Sequence, residues 1–260
     1  GNGNSNAPAG NGANLLYSNI SGNPSYRPFD TGARAMESDL GLRKGVDFEQ
    51  INGARKLAPT EFFFNPQLGY LSLFRRLQND EVLAVSYEYT YNGQVYKVGE
   101  LTEDYQVRAE DELIFLKLLR PARINTRIPT WDLMMKNVYS LNASQILRDG
   151  FQLQIIYRDD RTGLDNPALL EGANVKDVPL IRLTGLDNLN PQNDPAPDGN
   201  FDFVEGLTMI SNRGLLIFPV LEPFGSNLER RFNPEEIVLK DKYVYDTLYR
   251  TTQADAELVT

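Results

Sequence analysis

Val82-Leu83-Ala84-Val85-Ser86-Tyr87-Glu88-Tyr89-Thr90-Tyr91-Asn92-Gly93-Gln94-Val95-Tyr96-Lys97-Val98 is the stretch that speaks most directly about fold. Leu83, Val85, Tyr87, Tyr89 and Tyr91 fall on one side, and Ala84, Ser86, Glu88 and Thr90 on the other. That is the period of two of a half-buried β-strand. Asn92-Gly93 is the strongest short hairpin signal, because both central residues of a type I′ turn need positive φ. Residues 82–91 are therefore expected as one strand, with Gln94 to Val98 as its antiparallel partner.

The flanking sequence continues in short pieces. Asn65-Pro66-Gln67-Leu68-Gly69 reads as a turn into a strand at Tyr70 to Phe74, and Glu112 to Leu119, apolar on both faces apart from Lys117, reads as a central strand. Phe151 to Ile155 alternates cleanly, and further strands are expected at Val178 to Leu183, Leu207 to Ile210 and Leu215 to Phe218. Thr130 can cap a helix in which Trp131, Met134, Met135 and Val138 share one face. Asn233-Pro234-Glu235-Glu236 offers a cap, a proline at the first position and acids facing the dipole, so a second helix is expected near the C-terminus. The fold expected is mainly β: antiparallel sandwich-like modules with a few short helices. Its parts are a flexible Gly/Asn-rich arm at 1–35, a β subdomain at 36–125, another at 126–232 with a short helix near 130–140, and a helical segment and tail at 233–260. The expected core is Leu83, Val85, Tyr87, Ile114, Leu116, Trp131, Leu153, Ile155, Leu216 and Phe218.

Composition narrows the chemistry. The 260 residues include no His and no Cys, so imidazole bases, thiolate nucleophiles, Ser-His pairs and the usual zinc sites are unavailable. The net charge of −9 has the wrong sign for displacing counterions from phosphates, so a nucleic-acid partner is not expected. No run approaches the roughly twenty apolar residues of a membrane helix, so no direct membrane span is expected in this segment. The opening GNGNSNAPAGNGAN has little to bury and reads as a linker, as though the chain were cut from something longer.

Asp194-Pro195-Ala196-Pro197-Asp198-Gly199-Asn200-Phe201-Asp202-Phe203-Val204-Glu205 is the most chemically suggestive string. Counted from Asp194, acids or glycine fill positions 1, 5, 6, 9 and 12 of a calcium-loop template, which makes Asp194, Asp198, Asp202 and Glu205 candidate calcium ligands. Ala196 removes one ligand, and two prolines interrupt the loop, so an Asp-Gly turn whose carboxylates cap backbone amides stands ahead of calcium. No cofactor is otherwise expected. Glu100, Glu103, Asp104, Asp111 and Glu112 could supply a glycosidase pair only if the fold set two of them face to face. Lys97 and Lys117 lie in or beside strands, yet a Schiff-base lysine needs a desolvated pocket, and nothing in the sequence identifies one. Tyr87, Tyr89 and Tyr91 would form a carbohydrate or peptide platform if left exposed.

Longer strings carry a resemblance. Phe64-Asn65-Pro66-Gln67-Leu68-Gly69-Tyr70, Asp80-Glu81-Val82-Leu83-Ala84-Val85, Val95-Tyr96-Lys97-Val98-Gly99-Glu100, Thr130-Trp131-Asp132-Leu133-Met134-Met135-Lys136-Asn137-Val138-Tyr139-Ser140, Asn193 to Phe203 and Phe218-Pro219-Val220-Leu221-Glu222-Pro223-Phe224-Gly225 resemble, in order, the SprA (Sov) family. The resemblance runs from about Gly41 to the C-terminus. That family comprises the outer-membrane translocons of the type IX secretion system of Bacteroidetes, very large β-barrels that also support gliding motility. The resemblance implies a soluble, non-enzymatic segment of such a translocon, associated with the outer membrane at the cell surface or in the periplasm. Its implied partners are the rest of the translocon chain, secretion-system proteins or exported cargo. The alternatives are a free-standing surface or periplasmic module that binds glycan or protein and, third, a carboxylate-based glycosidase.

Overall fold

The computed structural model describes residues 12–66 and 69–252. The chain divides into two compact units, Gly1–Leu133 and Met134–Thr260, and short strands in small antiparallel sheets alternate with short helices in both.

The first unit opens with α1 (Gly12–Ser21), a 3-10 turn at Pro24–Tyr26 and α2 (Gly32–Leu40), which Gly41 ends in the left-handed conformation. Residues 1–11 of the expected arm lie outside the described residues. From Gly12 onward the arm reading is corrected, since Asn14, Tyr26 and Arg27 are buried. Next come β1 (Phe62–Asn65) and β2 (Tyr70–Leu73), which pair as a hairpin from Phe62↔Leu73 to Asn65↔Tyr70. Then follow β3 (Leu83–Val85), β4 (Tyr87–Tyr91), β5 (Gln94–Val98), α3 (Thr102–Tyr105), β6 (Lys117–Arg120) and a 3-10 turn at Pro129–Leu133.

The hairpin of β4 and β5 runs from Tyr87↔Val98 to Tyr91↔Gln94. Asn92 and Gly93 sit at φ 50° and 76°, as a type I′ turn requires. The single strand expected at 82–91 is instead two. The chain breaks at Ser86, where a side chain at Gly99 would come within 2.9 Å of the Ser86 Cβ, and β3 leaves to pair with β6. The central strand expected at 112–119 shrinks to β6, one half of a two-stranded ribbon. The preceding backbone is spent elsewhere: the Leu113 N–H donates to the Arg27 carbonyl, and the Phe115 carbonyl accepts from the Glu100 N–H.

The second unit carries β7 (Val138–Ser140), β8 (Tyr157–Arg158), β9 (Asp165–Asn166), α4 (Leu180–Leu183), β10 (Met209–Ile210), β11 (Leu215–Ile217), α5 (Ser226–Glu229), α6 (Ile237–Tyr243) and a 3-10 turn at Asp246–Tyr249. Its three-stranded sheet has the order β10-β11-β7. That sheet overturns the helix expected at 130–140. Only Pro129–Leu133 is helical, as a 3-10 turn, and Val138 and Tyr139 pair instead with Ile217 and Leu216. A β-branched and an aromatic residue suit a strand once a partner is present.

Val178 to Leu183 is corrected from strand to the single helical turn α4. A short run with apolar residues at Val178, Leu180, Ile181 and Leu183 fits either structure. Here Leu180 and Leu183 enter one buried cluster with Leu169, Val175, Leu228, Phe232 and Tyr243, while Ile181 enters the other with Leu186, Met209, Leu216 and Phe218. Phe151 to Ile155 pairs with no strand, yet its alternation survives: Phe151, Leu153 and Ile155 pack on these clusters while Gln152 and Gln154 face out. Near the C-terminus, Asn233 to Glu236 forms a turn closed by the Glu236 carboxylate on the Asn233 N–H, and the helix begins one step later, at Ile237. Of the expected core, Leu216 and Phe218 are buried, whereas Tyr87, Ile114 and Leu116 remain more than a third exposed.

Candidate functional site

The loop from Leu186 to Phe203 is long for a segment without regular structure, and such loops either carry function or need internal ties. This one has ties. Its base closes where the Asp202 N–H donates to the Leu186 carbonyl at 2.9 Å, and the Asp202 carboxylate accepts from the Asn188 and Leu189 N–H groups at 2.6 and 3.1 Å. Its far side is held by Asp187, which is fully buried. One Asp187 oxygen accepts from the Asp198 and Gly199 N–H groups at 2.8 and 3.1 Å, and the other accepts from Arg182 Nε at 3.0 Å. Residues 191–200 stand exposed on this frame.

The candidate calcium ligands are all occupied by their own turns. Asp194 accepts from the Asn190 side-chain amide at 3.3 Å, Asp198 from the Asn200 N–H at 2.9 Å, Asp202 as above, and Glu205 from the Ser211 N–H at 3.1 and 3.2 Å. Among the described residues no group of three or more His, Cys, Asp or Glu side chains is set to hold a metal ion. Asp187, the carboxylate on which the loop depends, was not singled out in the sequence. Its one signal is an acid placed directly after Leu186, in a segment whose apolar residues are Leu180, Ile181, Leu183 and Leu186.

The first unit also has a buried carboxylate. Glu100 is 1% exposed and accepts from Arg27 Nη1 at 2.8 Å, Arg108 Nε at 2.7 Å and the Phe115 N–H at 2.9 Å. Arg27 also donates to the Leu113 and Ser21 carbonyls and lies over the Phe115 ring, 4.3 Å from its centroid. Of the other acids considered for glycosidase chemistry, Asp104 pairs with Lys97 and caps the Leu101 N–H, Glu112 pairs with Arg108, and Glu103 and Asp111 are exposed. The Lys97 partner holds the Asp104 carboxyl below its ordinary value, and Asp104 in turn raises the Lys97 ammonium. A glycosidase instead needs one carboxyl raised and left protonated beside an ionised one.

The tyrosines stack along the hairpin. Tyr87 and Tyr89 have ring centroids 6.1 Å apart, and Tyr89 lies 5.3 Å from Tyr96 across the strands. The Tyr89 hydroxyl accepts from the Asn14 side-chain amide of α1 at 2.6 Å, while Tyr91 stands exposed beyond the stack. On the neighbouring hairpin Phe63 and Phe64 face solvent, as does Phe74 just after it. No protein-family model and no curated protein matches this chain. No helix among the described residues is long and apolar enough to cross a membrane.

Proposed function

We propose that this chain is a non-enzymatic segment of an outer-membrane translocon of the SprA type, acting in type IX secretion and gliding motility by presenting strand edges and aromatic side chains to its surroundings. The observation that carries the reading is the state of the sheets: among the described residues four have only two strands and one has three, with Phe63, Phe64 and Tyr91 turned outward. Ribbons of this kind are marginal alone and invite further pairing. In this reading they become layers of a sandwich only when strands of the parent chain, a secretion-system protein or exported cargo complete them. The order of the SprA-like strings supports the same assignment, and with it a place at the cell surface or in the periplasm.

The test uses the full-length parent protein. Replacing Phe63 and Phe64 together by Ser should leave this segment folded by circular dichroism and stop export of cargo. Unimpaired export by a folded double variant would overturn the role of this face. A parent reading frame of ordinary domain size would overturn the translocon assignment itself.

The Tyr87–Tyr89–Tyr96 stack favours a second reading, a free-standing module that binds glycan or protein on the hairpin face. Titration with oligosaccharides, followed by tyrosine fluorescence, separates the two: saturable quenching lost in Tyr91→Ser supports the module. Calcium at Asp194, Asp198, Asp202 and Glu205 is independent of both readings, and a calcium-dependent rise in melting temperature lost in Asp198→Ala would support it.

A further inference from the structure

Asparagine stands directly before glycine at Asn2, Asn11, Asn52 and Asn92. A glycine has no side chain to shield its backbone nitrogen and turns freely, so such a pair can close a ring through the asparagine side chain more readily than any other. Asn2 and Asn11 lie outside the described residues, and the other two stand in opposite settings. Asn92 sits in the two-residue turn of the β4–β5 hairpin, with Tyr91 and Gln94 paired on either side and φ held at 50° and 76° at Asn92 and Gly93. Asn52 lies in the stretch 49–57, where among the described residues no backbone N–H or carbonyl bonds another backbone group. Asn52 and Gly53 are both exposed, and the Asn52 side chain makes no hydrogen bond among the described residues. Gln50 ties the stretch to the Phe29 carbonyl at 2.8 Å, and Asn52 thereby lines an open cleft together with Asp30, Glu110 and Asp111.

We propose that Asn52 is a site of spontaneous modification, where deamidation adds a carboxylate to this cleft. The Gly53 backbone nitrogen gives up its proton to solvent and bonds to the Asn52 Cγ. The bond from Cγ to the side-chain nitrogen then breaks, and that nitrogen takes a proton and leaves as ammonia. The five-membered imide that remains is opened by one water at either carbonyl, giving an aspartate or an isoaspartate. Water enters and ammonia leaves, and nothing is oxidised or reduced. The same ring at Asn92 would require the turn to leave the conformation that the Tyr91 and Gln94 pairing holds, so the hairpin protects it. The product sets a fourth negative charge beside Asp30, Glu110 and Asp111, so an aged chain differs from a fresh one in the charge of this cleft.

The experiment holds the whole chain in mildly alkaline buffer over several weeks and follows the deamidation mass gain by digestion at lysine and arginine and mass spectrometry. Asn52 and Asn92 fall on different peptides, Gly45 to Arg55 and Leu77 to Lys97, and both Asn2 and Asn11 precede Arg27. Fragmentation places the change within each peptide. Asn52 should convert at least about fivefold faster than Asn92, the factor that even a small cost of local opening imposes. The two rates should converge in urea, where the hairpin no longer protects Asn92. Asn52→Gln should leave the Gly45 to Arg55 peptide unmodified and the circular dichroism unchanged. Conversion of Asn52 no faster than of Asn92 in the folded chain would overturn the proposal. So would a difference that persists in urea, because it would then belong to the local sequence and not to the fold.

Discussion

Glu100 accepts hydrogen bonds from two arginines and a backbone amide while almost wholly shielded from water. Glu100→Ala leaves Arg27 as a buried charge without its counter-ion, and breaking such a pair from one side costs about 3–5 kcal/mol. Urea unfolding should show the loss, and a shift below about 1 kcal/mol would mean that water reaches Arg27 in the variant. Asp187 makes a parallel case in the second unit. Asp187→Ala orphans the Asp198 and Gly199 amides, at about 1–3 kcal/mol for each donor that stays buried, and should open residues 191–200 to limited proteolysis before the rest of the unit. An acid-sensitive contribution comes from the exposed Arg55–Glu61 pair. The Arg55 side chain, helped by the Ala58 N–H, lowers the Glu61 carboxyl from 4.5 to about 2. A carboxyl lowered by folding contributes stability above its unfolded value and loses that contribution as pH falls through its folded value. The urea midpoint should therefore drop between about pH 4.5 and pH 2, and drop less in Glu61→Gln.

At the level of elements, local chemistry decides turns and tertiary partners decide strands. The β4–β5 hairpin follows from Asn92-Gly93 and a period of two, both of which act within a dozen residues. Gly93 sits at φ 76°, so Gly93→Ala should cost about 1–2 kcal/mol through the Cβ clash of the left-handed region, read as a lower melting temperature. The strand at 82–91 breaks for a reason no local pattern carries, since β3 finds its partner in β6 more than thirty residues later. The Trp131 to Val138 face has helical spacing, but Val138 is claimed by Ile217. Phe151 to Ile155 shows the converse, with alternation deciding which side chains pack inward although no neighbouring strand bonds the backbone.

Over the whole molecule, burial is unevenly placed. Among the described residues, both clusters of buried apolar side chains lie in the second unit, with Tyr139, Phe218 and Phe224 in mutual edge-to-face contact at centroid distances of 5.3 to 5.9 Å. Phe218→Ala should therefore cost about 3–5 kcal/mol through the cavity it leaves, whereas Trp131→Ala, at a half-buried site on a 3-10 turn, should cost clearly less. Residues 134–260 expressed alone should keep a cooperative thermal transition, and a broad non-cooperative melt would show that the two clusters do not suffice. The sequence by itself determined the absence of imidazole and thiol chemistry, the β4–β5 hairpin and its turn, and the inward places of Leu216 and Phe218. Those features depend on residue type and on spacing within a few positions. Only the tertiary structure decided that Glu100 meets Arg27 across 73 residues, that buried Asp187 joins Asp202 in holding the loop, and that Lys97 finds its counter-ion in Asp104. The energy of a charge is set by what is packed around it in space, and neighbours in space are not neighbours in the chain.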